Sequence, residues 1–117
     1  MPFGGQYSAR SPGEARVFSF DFFNDLAPGD SIDPKNTTTT LTVYQGADPN
    51  AATLLIGSPT ILSGLGTNTV VAQKIGTNVN NATGFLPGVV YRWTITAQTA
   101  LGETAVWDEW IPVVEIV

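Results

Sequence analysis

Four aspartates, Asp21, Asp25, Asp30 and Asp33, fall within thirteen residues, which makes this segment the first place to look for a calcium site. A calcium loop needs oxygen ligands at close alternate positions, a glycine at its sharp turn and a distal glutamate. This spacing does not match, and the apolar residues between the carboxylates would have to face the ion. Solvated turn carboxylates are the expected reading. Asp108 and Glu109, set between Trp107 and Trp110, have the composition of a glycosidase pair or a sugar platform. Adjacent residues of a strand point to opposite faces, so the two carboxyl groups cannot flank one bond. The two indoles also fall on opposite faces unless a bulge intervenes. One then belongs to the core, and the other is partly exposed, as an anchor for a protein interface or as a sugar-stacking surface. Gly64-Leu65-Gly66 lacks the third glycine and the lysine of a phosphate-cradling loop, and no G-x-S-x-G nucleophile elbow occurs.

What the chain lacks is equally informative. Its 117 residues contain no His and no Cys. That removes Cys/His zinc sites, disulfides, thiol nucleophiles and Ser-His-Asp triads. No base stands beside a nucleophile, so the expectation is a protein without catalytic, cofactor or metal residues. Five Lys and Arg oppose ten Asp and Glu, for a net charge of −5. A chain so acidic has no basic stripe for phosphate backbones, and nucleic acid is not an expected partner. No apolar run approaches the ~18 residues of a membrane helix, so a membrane partner is not expected either. Met1-Pro2-Phe3-Gly4-Gly5 has neither the basic region nor the apolar stretch of a signal peptide, and synthesis and assembly in a cytoplasm are expected. Only 13% of the residues are charged. A freely diffusing domain ordinarily carries more, whereas interface centres are depleted in charge, so composition favours a component of a permanent assembly.

The elements that would position these residues are strands. The length allows one domain, burying roughly two thirds of its unfolded surface. Twelve Gly, eight Pro and fifteen Thr favour strands and turns over helices. Residues 1–13 read as an extended arm carrying Phe3, Tyr7 and Arg10, which folds back on its own domain or, as favoured here, lies on a neighbouring protein. Residues 14–117 then form one domain. In Ala15–Phe23, Phe18, Phe20 and Phe22 share a face; Pro28-Gly29 turns the chain and Ile32 pins that turn to the core. In 37–45, Leu41 and Val43 oppose Thr40, Thr42 and Tyr44. Short strands follow at Leu54–Ile56 and Thr60–Leu62, separated by Gly57-Ser58-Pro59, and another at Thr69–Ile75. Phe85-Leu86 plugs the core ahead of the clearest strand, Val89–Gln98, where Tyr91, Trp93, Ile95 and Ala97 alternate with Val90, Arg92, Thr94 and Thr96. A hairpin at 100–103 leads into Thr104–Ile111, which Pro112 breaks, marking a bulge or an edge.

About seven short strands with regular turn signals and no helical period predict an all-β immunoglobulin- or fibronectin-type sandwich. Tyr91, just after the Pro87-Gly88 turn at the start of the penultimate strand, stands where such folds place a corner tyrosine.

The order of motifs resembles a known family. Phe20-Asp21, Asp25-Leu26 with Gly29-Asp30, Gly46 with Asp48-Pro49-Asn50, Gly57-Ser58-Pro59, and Pro87-Gly88 with Tyr91-Arg92 are similar to signatures of small immunoglobulin-like virion proteins of tailed bacteriophages and prophages. Within these, the chain most resembles the fibre-to-tail adaptors. The likeness covers about residues 14–112, and the run Thr37–Thr40 departs from it where a large residue is expected. The resemblance implies a structural protein of the virion, assembled in the bacterial host cytoplasm. It would attach tail fibres to the tail tube or nozzle by protein contacts, with other virion proteins and copies of itself as partners. Phe3, Tyr7 and Arg10 on the arm and Trp107 and Trp110 on the domain are the candidate protein-binding residues. A capsid decoration protein is the nearest alternative, and a carbohydrate-binding module a more distant one.

Overall fold

In β1 (Ala15–Asp21) the alternation of rings with small or polar residues buries Phe18 and leaves Val17 66% exposed, which sets which face of the strand is inward. The computed structural model describes residues 12–114. Phe3, Tyr7 and Arg10, with most of the expected arm, lie outside the described residues. Five further strands follow: β2 (Thr38–Gln45), β3 (Leu55–Leu62), β4 (Val70–Gly76), β5 (Val90–Gln98) and β6 (Thr104–Pro112). Two short 3-10 turns, Phe23–Asp25 and Ala51–Leu54, interrupt the loops, and no α-helix occurs among the described residues. Among the described residues no helix is long and apolar enough to cross a membrane.

The strands form two antiparallel three-stranded sheets, in the orders β1-β4-β3 and β2-β5-β6. Their inner faces meet in one core. Trp93 at the centre of β5 is fully buried, and Phe18 reaches it from the opposite sheet with ring centroids 6.3 Å apart. Tyr91, Ile95 and Ala97 are buried on the same face of β5, as their spacing predicts. Ile32 and Phe85 are buried as expected and close the two ends of the core.

The strand count differs from the expected seven, because the short strands expected at Leu54–Ile56 and Thr60–Leu62 are one. On β4, Ile56 pairs with Lys74 and Thr60 with Ala72, so three residues of β3 lie opposite one of β4, Gln73. The surplus is a bulge at Gly57-Ser58-Pro59, where Gly57 takes φ +69°. Proline is tolerated there because β3 is an edge strand. Gln73, buried on the inner face of β4, holds the bulge in place. Its Nε2 donates to the carbonyls of Ile56 (2.9 Å) and Gly57 (3.1 Å), while its Oε1 accepts from Thr39 Oγ1 (3.1 Å) of the other sheet. A glutamine in the core is tolerated because its amide is satisfied on both sides.

Pro112 does not break β6 but closes it, opposite Val90 on an edge strand. The N–H of Val113 donates to the Val89 carbonyl (3.0 Å), so the neighbouring position 112 turns its backbone away from β5, where a missing N–H costs nothing. The loop aspartates tie strands together. Asp21 accepts from the N–H groups of Phe23 (3.0 Å) and Leu65 (2.8 Å), and Asp30 from those of Ser31 (2.8 Å) and Leu101 (3.1 Å).

Candidate functional site

Burying the odd-numbered residues of β5 sends Val90, Arg92, Thr94 and Thr96 to the outer face of the β2-β5-β6 sheet. The same alternation places Thr38, Thr40, Thr42 and Tyr44 of β2 on that face, with Val106, Asp108 and Trp110 of β6. Thr42, Arg92 and Trp110 form one cross-strand row, and Thr40, Thr94 and Asp108 the next. In the second row the Thr94 hydroxyl donates to Asp108 Oδ1 at 2.6 Å. The pairing of β2 with β5 shifts register between Val43 and Gln45, leaving Tyr44 in the extra position. Its ring leans across β5 and stacks on Trp110, with centroids 4.8 Å apart and 29° between planes. Tyr44 is 55% exposed. Arg92 beside them makes no ion pair among the described residues. The face offers two rings, a guanidinium, a carboxylate and a field of threonine hydroxyls, which is a chemistry of binding.

Trp107 and Trp110 do point to opposite faces. Trp107 turns inward and closes the side of the sandwich between β1 and β6. It stacks on Phe20 at 3.8 Å, 13° from parallel, and its Nε1 donates to Glu109 Oε1 at 3.0 Å. Its role is to join the sheets, and Trp110 carries the outer face. Asp108 and Glu109 also diverge, the first outward and the second into the flank of the core. The partner of Trp110 is thus Tyr44 and not Trp107. Sequence alternation placed Tyr44 on the outer face, but its contact with Trp110 depends on the register shift and could not be read from spacing.

The carboxylates divide by environment. Burial raises the pKa of Asp21 and Asp30, yet hydrogen bonds outweigh it and hold both below the ordinary range, from Leu65 and Thr69 at Asp21 and from Thr99 and Ser31 at Asp30. Asp33 is held low by the Asn36 side chain and the Lys35 N–H. Asp21 and Asp30 are engaged with neighbouring loops and Asp33 within its own. Among the described residues no group of three or more His, Cys, Asp or Glu is placed to hold a metal. Glu109 behaves in the opposite way, since burial pushes its pKa up and the Trp107 indole only partly offsets this. A carboxyl whose folded pKa is raised costs stability as pH rises through that range. Glu109→Gln, whose amide oxygen still accepts from Trp107, should therefore raise the melting temperature at pH 7. The gain should shrink towards zero as pH falls below 4.5, the group's ordinary value, which thermal scans at several pH values would check.

Comparison with protein-family models, with curated proteins and with solved structures finds no match.

Proposed function

We propose that this chain is a non-enzymatic structural protein of a tailed-bacteriophage virion, an adaptor that fixes tail fibres to the tail tube or nozzle through protein contacts. Its sandwich is read as immunoglobulin-type. The sheet orders β1-β4-β3 and β2-β5-β6 support this, because they follow from the immunoglobulin pattern when its first strand is left aside. So does Tyr91, whose hydroxyl accepts the N–H of Leu86 (3.0 Å) five residues upstream, as a corner tyrosine does.

The observation that carries the binding role is the Tyr44–Trp110 stack beside Arg92 on a face otherwise dominated by threonine and short aliphatic residues. Trp, Tyr and Arg are the residue types that dominate binding energy at protein interfaces, and charge is scarce at the centres of such interfaces. One domain with this face and a segment rich in glycine and serine preceding its first strand can hold two neighbours at once. The resemblance of the turn and core motifs supplies the identity of those neighbours.

The test is fractionation of purified particles into capsids and tails, followed by mass spectrometry. The adaptor reading expects the chain in the tail fraction at a few copies per particle. Abundant chain on capsids would replace it by a decoration protein, and absence from particles would overturn both. A glycan-binding reading is favoured by the same rings with Arg92 and Asp108 nearby. Binding of the isolated chain to a glycan array, lost in Tyr44→Ala, would support it.

A further inference from the structure

Three loops meet at the end of the sandwich where β1 finishes, and each exposes a large apolar side chain. Phe23 is 46% exposed in the first loop, Leu65 71% in the β3–β4 loop and Leu101 67% in the β5–β6 hairpin. Between the first two lies an open cleft of about 670 Å³, walled by Phe23, Leu26, Ala27, Pro28, Gly66 and Thr67. Gly66 makes the wall possible: a Cβ there would come within 2.7 Å of the Phe23 ring and 2.9 Å of Thr69 Cγ2. A smaller recess shares Leu26, Ala27 and Asp30 with the cleft and adds the carboxylates of Asp25 and Glu103. No Lys or Arg lines either cavity. Apolar side chains and neutral polar ones line the cleft, and carboxylates stand in it and in the adjoining recess, so the matching ligand is a largely apolar segment carrying a cation.

The chain contains such a segment. Residues 1–11 include Phe3, Tyr7 and Arg10 and no carboxylate, whereas residues 12–114 hold nine Asp and Glu against four Lys and Arg. The segment joins the domain at the opposite end from the cleft. There the Glu14 carbonyl accepts the Thr77 N–H (3.2 Å) and Ala15 pairs with Gly76, while Asp21, at the far end of β1, anchors the loop containing Leu65. Seven residues of strand put the two ends roughly 23 Å apart.

We infer that the cleft receives residues 1–11 of a second copy of this chain, with an aromatic ring against its apolar side chains and Arg10 against Asp25 and Glu103. Because the segment's point of attachment and the cleft lie at opposite ends, two copies exchange segments reciprocally in an antiparallel pair or many join head-to-tail in a ring or an open chain. The inference deepens the assembly reading by naming the neighbour that the N-terminal segment reaches, and it rests on that reading for the segment's having a neighbour.

The test is sedimentation velocity on the full chain over a range of concentrations, with two variants. Thr67→Arg fills the cleft from an exposed position and adds a repelling cation. Phe3→Asp with Arg10→Glu removes the ligand chemistry and leaves the cleft open. The parent should form larger species as concentration rises, and each variant alone should remain a monomer with an unchanged melting temperature. An equimolar mixture should give a one-to-one complex that grows no further, because one intact segment meets one open cleft. A monomeric parent at every concentration, association of either variant to the parental extent, or a mixture that stays monomeric would overturn the inference. If Thr67→Arg unfolds, the exposed Asp25→Lys takes its place, with the same expected loss and with rescue by Arg10→Glu. The adaptor reading fails separately, through absence from tails of a chain that still associates in this way.

Discussion

Tyr91→Phe should destabilise the protein by about 2–4 kcal/mol while leaving the shape of the core intact. The phenol is fully buried and serves two partners, donating to Asp48 Oδ2 at 2.6 Å and accepting from the Leu86 N–H at 3.0 Å. Phenylalanine fills the same space, so the loss is nearly all polar. It leaves the carboxylate of Asp48, a buried residue, and a backbone N–H short of a partner, and such orphans cost about 1–3 kcal/mol each, more where a charge is involved. Denaturant unfolding should show a lower midpoint with an unchanged slope. A double-mutant cycle with Asp48→Asn should show strong coupling, since the two side chains form one network. A loss below about 0.5 kcal/mol would mean that the corner contributes little. Alkaline titration gives an independent check. Burial, and then the Asp48 carboxylate, raise the pKa of Tyr91 above its ordinary value of 10, so its stabilisation is whole below pH 10 and declines as the unfolded chain ionises above it. Tyr91→Phe should lack that component of the decline.

The second large effect is on binding. Trp110→Ala combined with Arg92→Ala should weaken the attachment of this chain to its partner at least about 100-fold, the scale of losing a central interface anchor. Folding should change little, because both side chains lie on the outer face and neither belongs to the core cluster. Trp107→Ala should behave in the reverse manner. It removes the stack on Phe20 and the hydrogen bond to Glu109, so it should lower the melting temperature and affect binding only through stability. The contrast between two tryptophans three residues apart separates anchoring from packing. Equal effects of the two on folding and binding would contradict the division of roles.

Much of the fold was legible because it rests on local alternation. The inward sets of β1, β2 and β5 follow from a period of two, and Ile32 and Phe85 follow from apolar residues beside turn signals. The glycine–proline segment of β3 misled because the same residues that end a strand also make a bulge within one. Distinguishing the two requires the partner strand, and the pairing of Ile56 and Thr60 on β4 is not encoded locally. Gln73 shows a similar limit: a period of two along Thr69–Ile75 sets it on a face with Val71, but its role in bridging the sheets depends on Thr39, thirty-four residues away. For the candidate site, the opposition of Trp107 and Trp110 was readable from parity alone. Their partners, Phe20 and Tyr44, were not, since one contact crosses between sheets and the other spans a central strand through a register shift.

The most direct measurement of the adaptor claim is the protein composition of tails from particles whose only copy of this chain carries Trp110→Ala and Arg92→Ala. The account predicts tails that lack both the chain and the fibres, while the variant accumulates folded in the lysate with a parental melting temperature. Tails carrying the variant and their fibres at parental levels would contradict it.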